Sequence, residues 1–458
     1  MNWLCNIEKF GSNTALYIED GRSFSYNEIA NLSEDRTVSL RQGDLVALEC
    51  DNSLDSVLAY IGLINRKIPI LLLDRNLAGD LKKLILEHYR VSVVVCSGRC
   101  ERILPSGPPM HSELGLMLST SGSTGSPKLV RLTIDNLISN AKQIIEYLHL
   151  NQESRAITVL PLQYSFGLSI VNSHLLIGGS LVLTNKSIAE RFFWDLLQST
   201  NTNSFSGVPA TFEMLRRMRF ERMNLPNLKT VTQAGGRLSA ESVRFFTELG
   251  RARGFEFFVM YGQTEATARM AYLPPPQALV RSDSIGVPIP GGRFELIDAD
   301  GKIIDQDYVQ GELVYYGPNV MMGYASCVED LAKGDENQGV LKTGDIAERD
   351  SEGFYYIRGR LKRFIKIFGN RVNLDEVEKH LQGIGLSVYT SGKDDLMIIF
   401  GTDEHDVQVS AVEFCKRYQF HNSSVRTCVV ESVPTNESGK VQYGQLLEIF
   451  EDRSVVAP

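Results

Sequence analysis

Apolar runs of strand length alternate with helical-period stretches through the first three-quarters of the chain, at 45–49, 68–73, 92–96, 156–160 and 180–183. No other feature restricts the fold as tightly. Strands separated by helices cannot pair as hairpins, so they return by crossovers and form parallel sheets that helices cover. The most apolar stretch, 57–73, is interrupted by Asn65, Arg66 and Lys67, which bars it from crossing a bilayer as one helix and makes it a buried helix followed by a buried strand. The segment 99–111, with Pro105, Gly107, Pro108 and Pro109, reads as an exposed connection into a strand at 114–118.

From Phe294 the pattern changes to shorter strands separated by turns such as Asp300-Gly301, as in a small antiparallel barrel or sheet. Past 359 the chain reads as a compact mixed unit: a strand at 364–367, a turn at Gly369-Asn370, a helix at 375–382, a strand at 396–400, a helix at 406–418 and a strand near 425–430. With 458 residues, more than one core is needed. The expected fold is therefore α/β. A large domain, 1–359, holds helix-covered mixed or parallel sheets plus a small barrel-like subdomain, and a lid-sized α+β domain, 360–458, follows.

Bulk properties narrow the function. The chain carries 47 Lys+Arg against 55 Asp+Glu, a net charge of -8, so it lacks the broad positive field that holds a nucleic-acid backbone. The first residues show no basic segment leading into an apolar stretch and a cleavage site, which gives a cytoplasmic location. Seven scattered cysteines fit reduced thiols, and the seven histidines show no metal-binding spacing.

One segment stands out for chemistry: Ser119-Thr120-Ser121-Gly122-Ser123-Thr124-Gly125-Ser126-Pro127-Lys128, between two apolar strands. Its glycines let the main chain bring N–H groups to an anion, its hydroxyls add donors and Lys128 supplies a point charge, a combination suited to gripping phosphates. It is not the Walker pattern, because the lysine follows proline and is not followed by Ser or Thr. A flexible linker is the plain alternative, but linkers rarely join two buried strands.

With this segment the sequence resembles the adenylate-forming superfamily of acyl-CoA synthetases, aryl-acid ligases, luciferases and carrier-loading adenylation domains. The likeness recurs in order at Tyr261-Gly262-Gln263-Thr264-Glu265, Leu341-Lys342-Thr343-Gly344-Asp345, Arg358-Gly359-Arg360-Leu361-Lys362, the run from Gly369 to Glu378, and Pro434-Thr435-Asn436-Glu437-Ser438-Gly439-Lys440.

The resemblance implies ATP and Mg²⁺ as cofactors. Tyr261 would stack on adenine, Thr264 would meet the α-phosphate, and Glu265 would ligate Mg²⁺. Gly235, Gly236 and Arg237 match the family's adenine-side turn, Asp345 its ribose-binding aspartate, and Arg360 an assistant there. Lys440 would stabilise charge while the carboxylate attacks the α-phosphate. Lys362 occupies the hinge position. Gly369 would let a pantetheine arm pass, and Lys366 reads either as a helper at the thiol or its phosphate or as an outward residue on a strand.

The segment from Leu160 to Ser169 aligns with the wall of the family's acid pocket. Gly167 stands where amino-acid-activating relatives place an aspartate, which argues against an α-amino acid substrate. Tyr164 replaces a frequent histidine, and Val208, Met260 and Ala266 would complete the pocket. The implied partners are a small carboxylic acid and, as acyl acceptor, CoA or the phosphopantetheine of an acyl carrier protein, with a homodimer left open. Lys362 and Arg363 replace acidic residues common in adenylation domains, which favours the ligase branch. The alternatives are a stand-alone enzyme that loads only a dedicated carrier protein, and an inactive nucleotide-binding protein.

Overall fold

The computed structural model describes residues 9–119, 128–368, 370–435 and 441–455. Contacts divide the chain into one unit of residues 1–294 with 315–341, and a second of residues 295–314 with 342–458. Static contacts thus group most of the small sheet after Phe294 with the C-terminal residues.

The first unit holds two sheets. One has nine strands, ordered Val287–Pro288, Ala271–Leu273, Glu256–Tyr261, Thr230–Gln233, Ser204–Gly207, Arg155–Ile157, Ser180–Leu183, Thr14–Ile18 and Ser23–Ser25. Every pairing from Glu256–Tyr261 across to Thr14–Ile18 is parallel, and antiparallel strands close both edges. The helices Ser165–Ile177, Arg191–Ser199, Pro209–Arg217 and Ala240–Arg253 make the crossovers. Local chemistry sets their ends. Ser239 caps Ala240–Arg253 by accepting from the Ser242 N–H, and Gly254 terminates it in the left-handed region at φ +82°.

The second sheet has seven strands, ordered Gly323–Ala325, Leu129–Thr133, Leu114–Ser119, Ile70–Asp74, Val46–Cys50, Val93–Cys96 and Arg99–Arg102. Val46–Cys50 has a parallel neighbour on each side and is buried throughout, as an interior parallel strand must be. The apolar stretch 57–73 divides as expected into the helix Leu54–Asn65 and the strand Ile70–Asp74.

One expectation is corrected. Arg99–Arg102 is an exposed edge strand paired antiparallel with Val93–Cys96, not part of a free connection. Ser97 and Gly98 turn the hairpin with φ +49° and +73°. Two successive positive φ values match the twist of flanking strands. The residues Arg-Cys-Glu-Arg lack apolar alternation, so the strand was invisible to the hydrophobic pattern.

The second unit contains the four-stranded sheet Arg293–Ile297, Gly311–Tyr316, Val340–Arg349 and Tyr355–Arg360, whose ends reach across the division, and the hairpin Phe364–Ile367 with Asn370–Asn373. A three-stranded sheet of Val388–Lys393, Leu396–Gly401 and Val425–Val429 follows, with helices Leu374–Gly383, Glu404–Tyr418 and Tyr443–Val455. The last helix had not been read from the sequence. Its Leu446, with Leu447, Ile449 and Phe450, packs on Ile398 and Phe400 of the sheet. Arg363, nearly buried, pairs with Asp375 at 2.5 Å and Glu378 at 3.1 Å and lies over the Tyr443 ring.

Candidate active site

The candidate residues of the first unit collect at the carboxyl ends of neighbouring parallel strands. Strands that all point one way bring their following loops to one edge. Glu256–Tyr261 ends at Tyr261, and the chain passes Gly262 and Gln263 into a short 3-10 turn, Thr264–Ala266. Beside it, Thr230–Gln233 leads to Gly235 and Gly236, and Ser204–Gly207 delivers Val208 ahead of Pro209–Arg217. One strand further, Arg155–Ile157 leads to Tyr164 at the start of Ser165–Ile177.

Two glycines fix the packing of the residues expected on the acid side. Gly235 has φ +85°, and a Cβ there would lie 2.6 Å from the Tyr164 hydroxyl and 3.0 Å from Val208 Cγ1. Tyr164, Val208 and Gly235 therefore form one close-packed wall. A Cβ at Gly167 would come within 2.2 Å of the Pro161 carbonyl oxygen and 2.8 Å of that of Leu160. Those are backbone atoms, so an aspartate has no room at 167 unless the loop moves. Met260, 4% exposed, accepts a hydrogen bond from the Tyr147 hydroxyl at 3.0 Å, and the Tyr147 ring stacks on Tyr272. Ala266 is fully buried.

On the other side of the turn, the Ser165 and Thr264 hydroxyls lie 3.2 Å apart. Lys128 Nζ stands 3.4 Å from the centroid of the Tyr324 ring, and the Tyr324 hydroxyl donates to Glu265 Oε1 at 2.8 Å. Burial, and then the Glu265 charge, push the Tyr324 phenol well above its ordinary pKa, which keeps it a donor. The turn itself is held firmly. Asn319 Nδ2 donates to the carbonyls of Ala266 at 2.7 Å and Arg269 at 2.8 Å, and Thr267 and Ala268 are held between them at φ +57° and +107°.

Glu265 is the candidate holder of magnesium here. Among the described residues no three His, Cys, Asp or Glu side chains form a metal cluster. Glu265 offers a single oriented carboxylate, which suits an ion that takes its other ligands from phosphate and water.

The other expected residues are exposed, belong to the second unit or lie outside the described residues. Thr120, Ser121, Gly122, Ser123, Thr124 and Gly125 lie outside the described residues, although the strands that flank them pair at Ser119 and Leu129. Gly236 and Arg237 are exposed. In the second unit, Asp345 is 2% exposed and pairs with Arg360 Nε at 2.9 Å, the two facing each other across paired strands. Lys366 is exposed on Phe364–Ile367. Lys362 belongs to a short 3-10 turn, Leu361–Arg363, but its side chain, like Gly369 and Lys440, lies outside the described residues.

Sequence reasoning missed Tyr324, Tyr147 and Arg269. Tyr324 carries no motif and joins the site only because Gly323–Ala325 pairs with Leu129–Thr133. Arg269 did leave a signal: it is the one charge in the run from Ala266 to Leu273.

Comparison with known proteins agrees with this geometry. Residues 104–325 match the family model for AMP-binding enzymes. A feruloyl-CoA synthase from an Amycolatopsis species is 25% identical over 451 residues, covering 91% of this chain and 90% of that protein. A D-alanine–D-alanyl carrier protein ligase from Bacillus cytotoxicus is 29% identical over 358 residues, covering 72% and 70%. In fold, the chain matches the o-succinylbenzoate CoA synthetase of Bacillus subtilis, solved with its acyl-adenylate intermediate, with a TM-score of 0.79, 22% identity and 97% coverage of both chains. Residues 104–325 thus form an AMP-binding enzyme domain, and over most of its length the chain is similar to AMP-forming acid-activating ligases of the acyl-CoA synthetase type.

Proposed function

We propose that this enzyme joins a small carboxylic acid to AMP and then passes the acyl group to the thiol of CoA, in a cytoplasmic setting. One observation carries the reading. The acid-side wall of Tyr164, Val208 and Gly235 and the phosphate-side chain of Lys128, Tyr324 and Glu265 meet on the two sides of one turn, Thr264–Ala266. A carboxylate and a polyanion are thereby brought to adjoining surfaces, which is the arrangement an acyl-phosphate bond requires.

In the first step a carboxylate oxygen bonds to the α-phosphorus of ATP, the bond from that phosphorus to the bridging oxygen breaks, and pyrophosphate leaves. Tyr261 offers its ring to the adenine, and Gly262 and Gln263 set the turn. Gly235, Gly236 and Arg237 border the base, while Asp345 and Arg360 serve the ribose. Thr264 donates to the α-phosphate. The segment from Thr120 to Gly125, with Lys128, receives the outer phosphates. Glu265 holds magnesium, which supplies charge neutralisation on the phosphates when bound. Lys440 places a positive charge between two mutually repelling groups.

In the second step the thiolate sulfur bonds to the acyl carbon, AMP departs with its oxygen, and the thiol proton passes to solvent. For this step residues 360–458 turn about Lys362, so that Gly369 gives the pantetheine arm a path and Lys366 meets the thiol or its phosphate.

Acid-dependent exchange of labelled pyrophosphate into ATP tests the first step across a panel of acids. No exchange with any acid would end this reading. Lys440→Ala is expected to lose exchange yet still transfer from a supplied adenylate, whereas equal loss of both steps would remove the assigned role. The likeness to a carrier protein ligase supports a second acceptor. Thioester formation with a phosphopantetheinylated carrier and none with CoA would favour it.

A further inference from the structure

Arg269 is the residue for which the fold alone gives no explanation. It is 3% exposed, its guanidinium lies over the Phe166 ring at 3.8 Å, and its Nε is buried without an acceptor. Among the described residues no carboxylate pairs with it. The groups that face it are the phenols of Tyr147 and Tyr164. Burial pushes its pKa down, with the two phenols offsetting the fall in part, but a guanidinium remains charged at neutral pH. A buried charge without a counter-charge is costly, and replacing it with a hydrophobic side chain of similar volume would be the cheaper way to pack this position.

Its neighbours identify the space it serves. Tyr164 is pressed against Gly235, Tyr147 donates to Met260, and Phe166 precedes Gly167, so each contact of Arg269 leads to a residue that the proposed function puts on the acid side. Its main chain is fixed from two sides, the carbonyl accepting from Asn140 at 3.0 Å and Asn319 at 2.8 Å. The guanidinium is thus a cation on a firmly held main chain, with the phenols of Tyr147 and Tyr164 beside it.

We infer that Arg269 receives a second anionic group at the far end of the acid, so that the preferred substrates carry a distal carboxylate or sulfonate in addition to the carboxylate that is activated. This rests on the acid-activating reading above and narrows it. A distal anion would supply the counter-charge that the fold omits and would accept from the guanidinium, whose Nε has no acceptor among the described residues. An uncharged acid of the same length would leave the guanidinium desolvated and unpaired, so it would be rejected by a missing contact rather than a clash.

The test is pyrophosphate exchange by the full chain with matched acids: butanoate, butanedioate and its monoamide; phenylacetate, 4-carboxyphenylacetate and its amide; propanoate and 3-sulfopropanoate. The expected result is a kcat/KM at least about tenfold higher for the charged member of one set than for its neutral partners, carried mainly by KM. The carboxylate and sulfonate sets decide which anion is preferred. Arg269→Met is expected to reduce that ratio to about twofold or less, and Arg269→Lys to keep part of it. Melting curves with and without ATP establish that each variant is folded, and the wild-type ratio stands as evidence even where Arg269→Met fails to fold. Exchange that is equal for charged and neutral members in every set, or a preference that survives Arg269→Met, overturns the inference and leaves the acid-activating reading intact. Absence of exchange with every acid overturns both.

Discussion

Two arginines are almost wholly buried in the first unit, and they are held in opposite ways. Arg131, in the strand Leu129–Thr133, has no exposed surface, yet its guanidinium is surrounded by acceptors: the carbonyls of Tyr324, Lys333 and Gly334, and the carboxylate of Glu336. Arg269 is 3% exposed and has aromatic faces and phenols in place of these. The first arginine ties the strand Gly323–Ala325 and the segment after it to the sheet. The second meets the Tyr147 phenol and the Phe166 ring but, among the described residues, no carbonyl or carboxylate. A fold that can build a full shell of acceptors around one guanidinium and omits it around another has left the second for something outside the chain.

The comparison breaks most directly at Arg131. Arg131→Met leaves several buried carbonyls without donors, and each such loss costs about 1–3 kcal/mol. Glu336 is half-exposed and can be resolvated, so the sum is expected near 4 kcal/mol. Urea unfolding followed by tryptophan fluorescence would read it as a large fall in the midpoint. A change below about 1 kcal/mol would show that the shell around Arg131 is not what holds it.

A third buried base sharpens the contrast by solving the same problem differently. His174, in the helix Ser165–Ile177, is 3% exposed, and its Nε2 has no partner. Burial lowers its pKa from 6.5 to about 4, against the smaller opposing effect of its Nδ1 hydrogen bond with the Ile170 carbonyl. The imidazole therefore stays neutral in the folded protein, an escape that a guanidinium lacks. Between pH 6.5 and about 4 the unfolded chain binds the proton and the folded one does not, so stability is complete above the upper limit and falls as acid is added. The loss is expected to reach about 3 kcal/mol at the lower limit. Melting curves of the native protein and His174→Phe across this range should converge at low pH. Parallel curves would show that His174 does not carry the dependence.

Gly167 separates packing from charge on the same helix. Gly167→Ala drives a Cβ against the Pro161 and Leu160 carbonyls and is expected to cost about 2 kcal/mol, with a loss of acid turnover because Tyr164 shares the loop. If stability and exchange both survive, the loop yields easily, and the missing aspartate reflects substrate charge alone.

How much of this was legible beforehand follows from the range of each interaction. The alternating apolar runs announced the helix-covered sheets, because burial on both faces leaves a mark in every residue of strands such as Val46–Cys50. Tyr261 to Glu265 and Lys128 were legible because their chemistry is packed into contiguous segments. Tyr324 was not. Its place beside Lys128 depends on an antiparallel pairing of segments nearly two hundred residues apart in sequence, Tyr324 opposite Val130. The edge strand Arg99–Arg102 was hidden for the opposite reason, since all four residues are exposed and the pairing is carried by main-chain groups that leave no side-chain pattern. Arg269 showed itself as a charge in an apolar run, but whether it met an acceptor shell like that of Arg131 could be seen only in three dimensions.

The smallest expected effect is the most discriminating one. If Arg269 is mounted for a ligand and not for the fold, Arg269→Met should change the stability of the ligand-free protein by no more than about 1 kcal/mol, with a gain as acceptable as a loss, because the desolvated charge is removed and the thioether packs on Phe166. Measured by the same urea titration, the pair of substitutions would then differ by about 3 kcal/mol between two arginines of nearly equal burial. A loss at Arg269 as large as that at Arg131 would mean that the phenols of Tyr147 and Tyr164 already form a sufficient shell. The contrast between the two arginines would then be one of partner chemistry and not of purpose.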